Sequence, residues 1–437
     1  MIDIRLIRLG QFGFSDVIRG SQNRRYTDKS IVDQVIILDS CWKKLKFEVE
    51  KLKSIINNMS KKINICKNVE KKNILNRINC SKVKISLLEK KLYVFEESRY
   101  QSLTIIGNLI HNSSVFSKSE KDSKFNFFKK NILKRKGPFL YNHVDLLDKV
   151  DGVEYQKGGL ISGNRGYFLK KIGILLNIAL IQYGLDFLIA KGFIPLQTPF
   201  FMKKDIMKKC AQLEDFTEQL YCIREETEKF LIATSEQPIS AFHINEKLDK
   251  KKLPLKYAGF STCFRKESGS HGKDTSGIFR VHQFEKVEQF IICQSSEFIS
   301  WTSFEELLEN VENFYFSLKI PYRLVNVPSG ILNNAASKKF DLLGWFPKSK
   351  TFRELVSCSN CTDFQSRRLD ISTESIDSIN RNKFVHMLNS TLCATTRVIC
   401  CIVENYQCDF GILIPDVLKS YLGISFVPFN FPKQILM

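Results

Sequence analysis

The most restrictive feature of this sequence is a long stretch that lacks both residues that break helices. No glycine occurs between Gly20 and Gly107, and the first proline of the chain is Pro138. Glycine and proline are the least favourable residues in a helix interior. Their absence over this stretch therefore predicts long helices.

Apolar residues inside this stretch recur in alternating steps of four and three. The first series consists of Leu38, Trp42, Leu45, Val49, Leu52, Ile56, Met59 and Ile63. A second series consists of Ile85, Leu88, Leu92 and Phe95. A 3.5-residue period is typical of a coiled-coil seam. We expect two helices that form an antiparallel hairpin over residues 38–106, separated by the polar stretch 67–84.

The same stretch carries much of the positive charge of the chain. Residues 41–100 contain 16 Lys or Arg against 6 Glu, which leaves a surplus of +10 out of a net charge of +20. Concentrated basic charge indicates a polyanion partner. A solvated face of a structural or dimerising coiled coil is the alternative, and charge alone leaves both open.

Length and composition limit the class of protein. A chain of 437 residues predicts two domains, and no apolar run comes near the roughly 20 residues of a membrane span. The first residues, MIDIRLIRLG, lack the apolar core of a secretory signal, and the 13 cysteines are odd in number and scattered. We therefore expect a cytoplasmic protein with reduced thiols and no membrane partner.

Residues 258–290 read AGFSTCFRKESGSHGKDTSGIFRVHQFEKVEQF, two strand-like runs around a polar loop. Side chains alternate in a strand, so Cys263, Arg265 and Glu267 share one face of the outgoing run. Arg280, His282, Phe284, Lys286 and Glu288 share one face of the return run. Unpaired ionised groups are expensive to bury, so this surface suits a ligand with phosphates, a flat base and an ammonium group. A solvated, salt-bridged hairpin is the alternative.

This hairpin closely resembles motif 2 of class II aminoacyl-tRNA synthetases, in the form found in seryl-tRNA synthetases of the eukaryotic cytosolic type, and the likeness extends along almost the whole chain. The resemblance implies that Arg265 holds the α-phosphate of ATP and that Phe284 stacks on the adenine. It assigns an ATP site to Arg265, Lys266, Glu267, Val281, His282, Gln283, Phe284, Glu354, Leu355, Val356, Ser357 and Arg397.

Other segments match the same family. Thr234, Ser235 and Glu236 match a serine-contacting tripeptide, Phe352–Asp363 matches motif 3, and Lys191–Pro199 resembles motif 1, which builds the dimer in this family. The implied serine site consists of Thr234, Ser235, Glu236, Arg265, Glu288, Asn389 and Thr391. In it, Glu288 receives the substrate ammonium.

The resemblance further implies the catalytic groups. Arg265, Glu354 and Arg397 would stabilise the reacting phosphates, with Glu354 holding Mg²⁺ on the phosphates and Arg397 contacting the γ-phosphate. Cys358 and Cys361 form a CxxC pair, but a structural zinc site normally needs a second pair, and Cys400 and Cys401 are adjacent. ATP and Mg²⁺ are therefore expected, and zinc is not.

We accordingly expect an α+β protein: an N-terminal antiparallel α-helical coiled-coil arm and a class II synthetase catalytic domain with a mixed, mainly antiparallel β-sheet flanked by helices. The expected boundaries are 1–118 for the arm domain, 119–137 for an irregular connector and 138–437 for the catalytic domain. The arm would bind serine tRNA and motif 1 would form a homodimer.

The expected activity is that of an ATP-dependent serine–tRNA ligase that forms seryl-adenylate and charges serine tRNA, with selenocysteine tRNA left open as a second substrate. A catalytically inactive synthetase-like RNA-binding protein is the alternative, although such relatives usually lose the reactive arginines or the magnesium-binding glutamate. A ligase that aminoacylates carrier proteins would lack the basic helical arm.

Overall fold

The computed structural model describes residues 1–8, 15–63, 68–129, 140–211, 219–267, 277–376 and 382–430. The contacts within the chain divide it into two compact units, Met1–Leu109 and Ile110–Met437. The predicted boundaries at 118, 119–137 and 138 stay a prediction. Gly137, Pro138 and the polar loop of the predicted hairpin, residues 268–276, lie outside the described residues.

The first unit consists of helices. They are α1 (Ile4–Ile7), α2 (Ser15–Arg24), α3 (Ser30–Ile63) and α4 (Asn68–Ile105). The two long helices α3 and α4 contain 34 and 38 residues, so the prediction of long helices from the missing glycine and proline is confirmed.

Helices α3 and α4 run antiparallel, as the seam predicted. Lys53 pairs with Glu89 at 2.8 Å, whereas Asp39, nearer the start of α3, pairs with Arg99, nearer the end of α4, also at 2.8 Å. The predicted seam positions of both helices are buried or half-buried, with Val49 and Ile85 the most enclosed.

One expectation about this hairpin was wrong. The polar stretch 67–84 does not separate two helices, because α4 begins at Asn68 and runs through it. Ile78 is buried and Ile74 is half-buried within this stretch; they lie four residues apart, and Ile78 precedes Ile85 by seven, so all three lie on the same face of the helix. Two apolar residues on the correct face are enough to keep a polar segment in the helix.

A buried carboxylate links the first part of α3 to the last part of α4. Asp39 is 3% exposed and accepts bonds from Arg8 at 2.9 Å, Lys43 at 3.0 Å and Arg99 at 2.8 Å. The Arg99 guanidinium also lies 4.1 Å from the ring centroid of Trp42. Burial opposes ionisation of Asp39, but the hydrogen bonds of Arg8 and Lys43 outweigh it and lower the pKa of the carboxyl.

The second unit is a mixed α+β domain. Its helices are α5 (His143–Lys149), α6 (Tyr155–Ser162), α7 (Ile172–Ile189), α8 (Lys204–Cys210), α9 (Glu236–Ser240), α10 (Glu297–Ser317), α11 (Phe364–Leu369), α12 (Thr395–Asn405) and α13 (Lys419–Leu422). Its strands are β1 (Lys124–Lys129), β2 (Val153–Glu154), β3 (Phe168–Leu169), β4 (Ile194–Gln197), β5 (Phe201–Lys203), β6 (Cys222–Ile223), β7 (Lys229–Leu231), β8 (Lys247–Leu248), β9 (Leu255–Phe264), β10 (Gln283–Cys293), β11 (Tyr322–Asn326), β12 (Lys338–Phe346), β13 (Thr351–Asn360), β14 (Ser372–Ile376), β15 (Asn382–Phe384), β16 (His386–Ala394), β17 (Gln407–Cys408), β18 (Gly411–Leu413) and β19 (Phe426–Pro428).

Eight of these strands form the central sheet, in the order β1-β11-β12-β13-β16-β10-β9-β4. Every neighbouring pair is antiparallel except β4 with β9, which is parallel. This agrees with the predicted mixed, mainly antiparallel sheet. The core lies between the sheet and helices α7, α10 and α12, which contribute residues such as Leu180, Leu307 and Ile399.

The segment expected to be an irregular connector is partly regular. Within residues 119–137, β1 pairs with β11 and forms an edge of the central sheet. The charged residues of this segment gave no indication of a strand, and its pairing partner β11 lies almost 200 residues later in the chain.

Helix α7 corrects the expectation that no apolar run comes near the length of a membrane span. Its 18 residues have a mean hydropathy of 1.9, long and apolar enough to cross a membrane by length and composition. Only 44% of these residues are buried, among them Leu176 and Leu180 in the main core. An apolar core helix meets the same criteria.

We predict that Asp39→Ala loosens the hairpin formed by α3 and α4. Three cations would lose their shared partner, and breaking such a buried, hydrogen-bonded charge cluster costs roughly 2–3 kcal/mol. Hydrogen–deuterium exchange of the full chain should show faster exchange for peptides from both helices.

The matched control is Asp16→Ala, because the Asp16 side chain is 94% exposed where it pairs with Arg19. Exposed ion pairs contribute little, so exchange in α3 and α4 should stay at the parental rate. Equal exchange in the two variants would show that the Asp39 cluster does not stabilise the hairpin.

Candidate active site

A cavity of about 350 Å³ opens on the central sheet where β10, β13 and β16 are neighbours. The predicted site residues that line it are Thr234, Glu236, Arg265, Phe284, Glu288, Glu354, Leu355, Ser357, Asn389, Thr391 and Arg397. These residues come from six separate segments of the sequence, so the fold gathers most of the predicted site around one space.

The hairpin of β9 and β10 supplies the floor of the cavity. Its register pairs Cys263 with Phe284 and Gly259 with Glu288, and beyond β9 the Arg265 amide donates to the His282 carbonyl at 2.8 Å. Because side chains alternate along β10, Phe284, Lys286 and Glu288 share one face, and all three line the cavity.

Arg265 reaches into the cavity from the end of β9. Its Nε donates to the Ala233 carbonyl at 3.2 Å, and its guanidinium carbon lies 5.4 Å from the ring centroid of Phe284. The remaining guanidinium donors and the half-buried aromatic ring form a pair suited to a phosphate beside a flat base.

Glu288 is the most enclosed carboxylate of the site. Its Oε2 accepts from Thr234 Oγ1 at 2.6 Å, from the Glu236 amide at 3.0 Å and from Ser235 Oγ. Its Oε1 lies 2.5 Å from Lys286 Nζ. Burial opposes ionisation, but the Lys286 charge and the hydroxyl donors outweigh it and lower the pKa of Glu288. The carboxylate is thus ionised and held by the chain itself.

Gly259 makes this arrangement possible. A Cβ added at this glycine would lie 2.3 Å from Ile239 Cδ1 and 3.0 Å from Ser235 Oγ. Because residue 259 pairs with Glu288 across the ladder, a side chain at this position would force Ile239 and Ser235 to shift, and Ser235 is one of the groups that bond Glu288.

The polar end of the cavity also contains Glu236, Asn389 and Thr391. Glu236 Oε1 accepts from Gln365 Nε2 at 2.8 Å, and Asn389 Nδ2 lies 3.6 Å from Cys361 Sγ. These side chains come from α9, α11 and β16, so hydrogen-bonding groups converge on this end from three directions.

At the opposite end, Glu354 faces Arg397. Arg397 Nη1 lies 3.5 Å from Glu354 Oε1, and Ser357 Oγ donates to the same oxygen at 3.1 Å. Burial opposes ionisation of Glu354, but the charges of Arg397 and Lys339 outweigh it and lower the pKa of the carboxyl. Burial, together with the charge of Glu354, raises the pKa of the neighbouring Asp341, and Lys339 opposes that rise.

A second cavity of about 560 Å³ adjoins this end and shares Glu354 and Arg397 with the first. Arg280, Arg323 and Arg353 line it. Several cations around one concave space attract anions.

The structure does not place every predicted site residue on the first cavity. Those outside its lining are Ser235, Lys266, Glu267, Val281, His282, Gln283 and Val356. Ser235 lies behind the cavity and binds Glu288, whereas Glu267 is 3.3 Å from Arg280. His282 and Gln283 border a separate cavity of about 500 Å³.

The cavity is also lined by residues absent from the predicted site, among them Lys286, Lys339 and Gln365. The alternation of Lys286 with Phe284 and Glu288 in a predicted strand could have indicated that Lys286 belongs to the site. Lys339 alternates with Asp341 on β12 in the same way. No sequence pattern indicates Gln365, because its contact with Glu236 joins residues 129 positions apart.

Among the residues that the structure describes, no group of three or more His, Cys, Asp or Glu side chains could hold a metal ion. Cys358 and Cys361 are buried free thiols, and burial raises the pKa of Cys358. The expectation that zinc is not used stays a prediction.

Comparison with known proteins identifies both parts of the chain. Residues 1–110 match the model of the seryl-tRNA synthetase N-terminal domain. Residues 216–406 match the model of the tRNA synthetase class II core domain (G, H, P, S and T).

Full-length relatives give the same result. The cytoplasmic serine–tRNA ligase of Dictyostelium discoideum is 47% identical, with 99% of this chain and 96% of that protein covered. The crystal structure of the cytoplasmic serine–tRNA ligase from Naegleria fowleri in complex with AMP is 45% identical, with 99% of both chains covered and a TM-score of 0.89. The Pyrococcus horikoshii seryl-tRNA synthetase complexed with ATP is 34% identical, with 99% of this chain and 100% of that chain covered and a TM-score of 0.86. The chain therefore belongs to the seryl-tRNA synthetase family of class II aminoacyl-tRNA synthetases.

Proposed function

We propose that this chain activates L-serine with ATP, forms seryl-adenylate and pyrophosphate, and transfers the serine to the 3′ end of serine tRNA. The observation that supports it best is the single cavity with the ionised Glu288 at one end and Arg265, Glu354 and Arg397 toward the other. The ammonium group of an amino acid would match the negative charge of Glu288, and the phosphates of a nucleotide would match the positive charges of Arg265 and Arg397.

In the first step the serine carboxylate attacks the α-phosphorus of ATP. A P–O bond forms to the carboxylate oxygen, the bond to the β-phosphate oxygen breaks, and pyrophosphate leaves with the electron pair. A carboxylate is already a nucleophile at neutral pH, so no general base is needed. The protein contributes positioning and fixed positive charge, as is usual for phosphoryl and nucleotidyl transfer.

Arg265 would bind the α-phosphate, with Phe284 stacked on the adenine. Arg397 would bind the γ-phosphate, and the adjoining cavity lined by Arg280 and Arg353 would take the departing pyrophosphate. Lys266, Glu267, Val281, His282, Gln283, Leu355, Val356 and Ser357 complete the proposed nucleotide site. Glu267 would reach the adenine only after leaving Arg280.

The residues at the phosphate end fit Mg²⁺. This ion prefers oxygen ligands and is often held by one or two carboxylates together with substrate phosphates. Glu354 is ionised beside the Ser357 hydroxyl, and the nearby Asp341 Oδ1 is buried with Lys339 Nζ 3.4 Å away. Glu354 would hold the ion, with Ser357 beside it, and the bound ion would neutralise phosphate charge.

The polar end supports recognition of serine. Glu288 would receive the substrate ammonium, and Thr234, Glu236, Asn389 and Thr391 would surround the amino acid, with Ser235 holding Glu288 from behind. Buried groups that bond a substrate hydroxyl stay unpaired with an analogue that lacks it. Alanine should therefore be rejected strongly, and threonine less strongly through its extra methyl group.

The N-terminal hairpin is the proposed tRNA-binding element. Helices α3 and α4 expose most of the lysines of residues 41–100, and Phe47 and Tyr93 are exposed among them. Phosphate contacts of this type recognise the shape and position of an RNA. Serine tRNA is the proposed partner, and the proposed compartment is the cytosol.

Helix α7 and the motif 1 region support a homodimer. Ile174, Leu175 and Ile178 are 44%, 49% and 56% exposed on α7, and Ile194 on the edge strand β4 is 51% exposed. An apolar surface of this kind on a charged protein is typical of an interface.

We predict that Arg265→Ala lowers the rate of serine-dependent ATP–pyrophosphate exchange by roughly 10²–10³-fold, the usual loss when a donor to developing phosphate or oxyanion charge is removed. Arg224→Ala is the matched control, because Arg224 is exposed and outside the cavity lining. A near-parental exchange rate in Arg265→Ala would contradict the assignment.

We predict that shortening the hairpin separates the two steps of the reaction. Replacing residues 47–95 with a glycine-serine turn keeps the Asp39 cluster and removes most of the lysines. Pyrophosphate exchange should stay near the parental rate, whereas charging of serine tRNA should collapse and binding should lose salt dependence, because fewer counterions are released. Full tRNA charging by the shortened protein would exclude the hairpin as the tRNA-binding element.

We predict that Ile178→Asp converts the proposed homodimer to a monomer, because a buried unpaired carboxylate would oppose association. Analytical ultracentrifugation of the variant should give the molecular mass of a monomer. Phe298→Asp, at an 80% exposed position on α10, is the control and should leave the dimer intact. A dimer that survives Ile178→Asp would place the interface elsewhere.

A further inference from the structure

The ion pair of Lys286 and Glu288 is the most buried charge pair of the active site. The two side chains are 6% and 5% exposed, and Lys286 Nζ lies 2.5 Å from Glu288 Oε1. Lys286 Nζ also donates to Thr234 Oγ1 at 2.8 Å. Both residues nevertheless line the cavity, so a ligand would contact each of them.

The carboxylate of Glu288 has little capacity left for a substrate ammonium. Its Oε2 already accepts from Thr234, Ser235 and the Glu236 amide. Only Oε1 has a free lone pair, and Lys286 occupies its other side. Two ammonium groups on one buried oxygen would repel each other strongly, because few intervening dipoles screen them.

We propose that serine binds by opening this pair: its ammonium replaces Lys286 on Glu288 Oε1, and Lys286 turns to the serine carboxylate. This inference rests on the proposed function and adds Lys286 as a substrate-binding residue. The flexible four-carbon chain of lysine allows such a movement. Each buried charge keeps a partner throughout, because a zwitterion supplies one cation and one anion.

The exchange also positions the nucleophile. Lys286 precedes Glu288 by two positions on β10 and follows Phe284 by two, so it stands between the ammonium site and the nucleotide site. A carboxylate held by Lys286 would therefore lie on the side of Arg265, where the α-phosphate is proposed.

Opening the pair favours zwitterions over cations. Serinamide keeps the ammonium and hydroxyl of serine but has a neutral amide in place of the carboxylate. In the parental protein its ammonium would displace Lys286 without offering that lysine a new partner. With Lys286 removed, Glu288 would stand unpaired and would accept the same cation readily.

The test compares two constants in the pyrophosphate exchange assay, the KM for serine and the Ki for serinamide. Lys286→Met should raise the KM for serine by roughly tenfold or more, the usual effect of losing a charged hydrogen bond. It should lower the Ki for serinamide several-fold. Lys286→Arg should restore most of the parental ratio. An unchanged ratio of the two constants in Lys286→Met would overturn the proposal and leave Lys286 a structural residue.

The reciprocal variant keeps the test decisive where Lys286→Met fails to fold. Glu288→Gln leaves Lys286 without its anion, so glycerate, which replaces the serine ammonium with a hydroxyl, should inhibit several-fold more strongly. Unchanged inhibition by glycerate would also overturn the proposal.

The parental protein separates this inference from the proposed function. One outcome is that the parental protein shows serine-dependent exchange while Lys286→Met keeps the parental ratio of the two constants and Glu288→Gln keeps the parental inhibition by glycerate. That result would refute only the opening of the pair. A parental protein that shows no exchange with serine would refute the proposed function itself.

Discussion

Charge compensation in a partly buried cavity is the constraint on which the rest of this site depends. Its charged side chains are Arg265, Lys286, Lys339, Arg397, Glu236, Glu288, Glu354 and the adjoining Asp341. A buried charge without a partner is far less stable than one that is paired and hydrogen-bonded. Glu288 and Glu354 each lie against a cation of the same chain, and Glu236 accepts a hydrogen bond from Gln365, so these carboxylates have partners before any substrate arrives.

The central sheet makes this compensation possible because it sets charged side chains side by side. Lys286 and Glu288 alternate on β10, and Lys339 and Asp341 alternate on β12. The register of the sheet shifts between Val287 and Glu288 and again between Leu342 and Leu343. Irregularities of this kind bend a strand and re-aim its side chains, and they are frequent beside active sites. Here one of them lies directly beside Glu288.

The sequence predicted what local spacing determines. The seam from Leu38 to Ile63 and the alternation around Glu288 follow from periods of 3.5 and 2, which the structure keeps. It did not predict strand β1, nor the contact of Gln365 with Glu236, because both depend on partners far away in the chain. Nor did it predict that α4 includes residues 68–84, where Ile78 is buried among polar neighbours.

Lys286 shows most clearly how far the sequence could predict the site. Its position on the site face of β10 follows from the alternation of side chains, but its ion pair with Glu288 does not. Thr234 bonds both members of the pair and Ser235 bonds Glu288, and these two residues come from a segment distant in the sequence that packs against Gly259. Because Glu288 already has Lys286 as its counter-ion, the binding free energy of a substrate is the difference between its contacts with the site and the contacts of the pair that it replaces. Specificity for a zwitterion can then come from exchange of partners, since a ligand with one charge would leave a buried group unpaired.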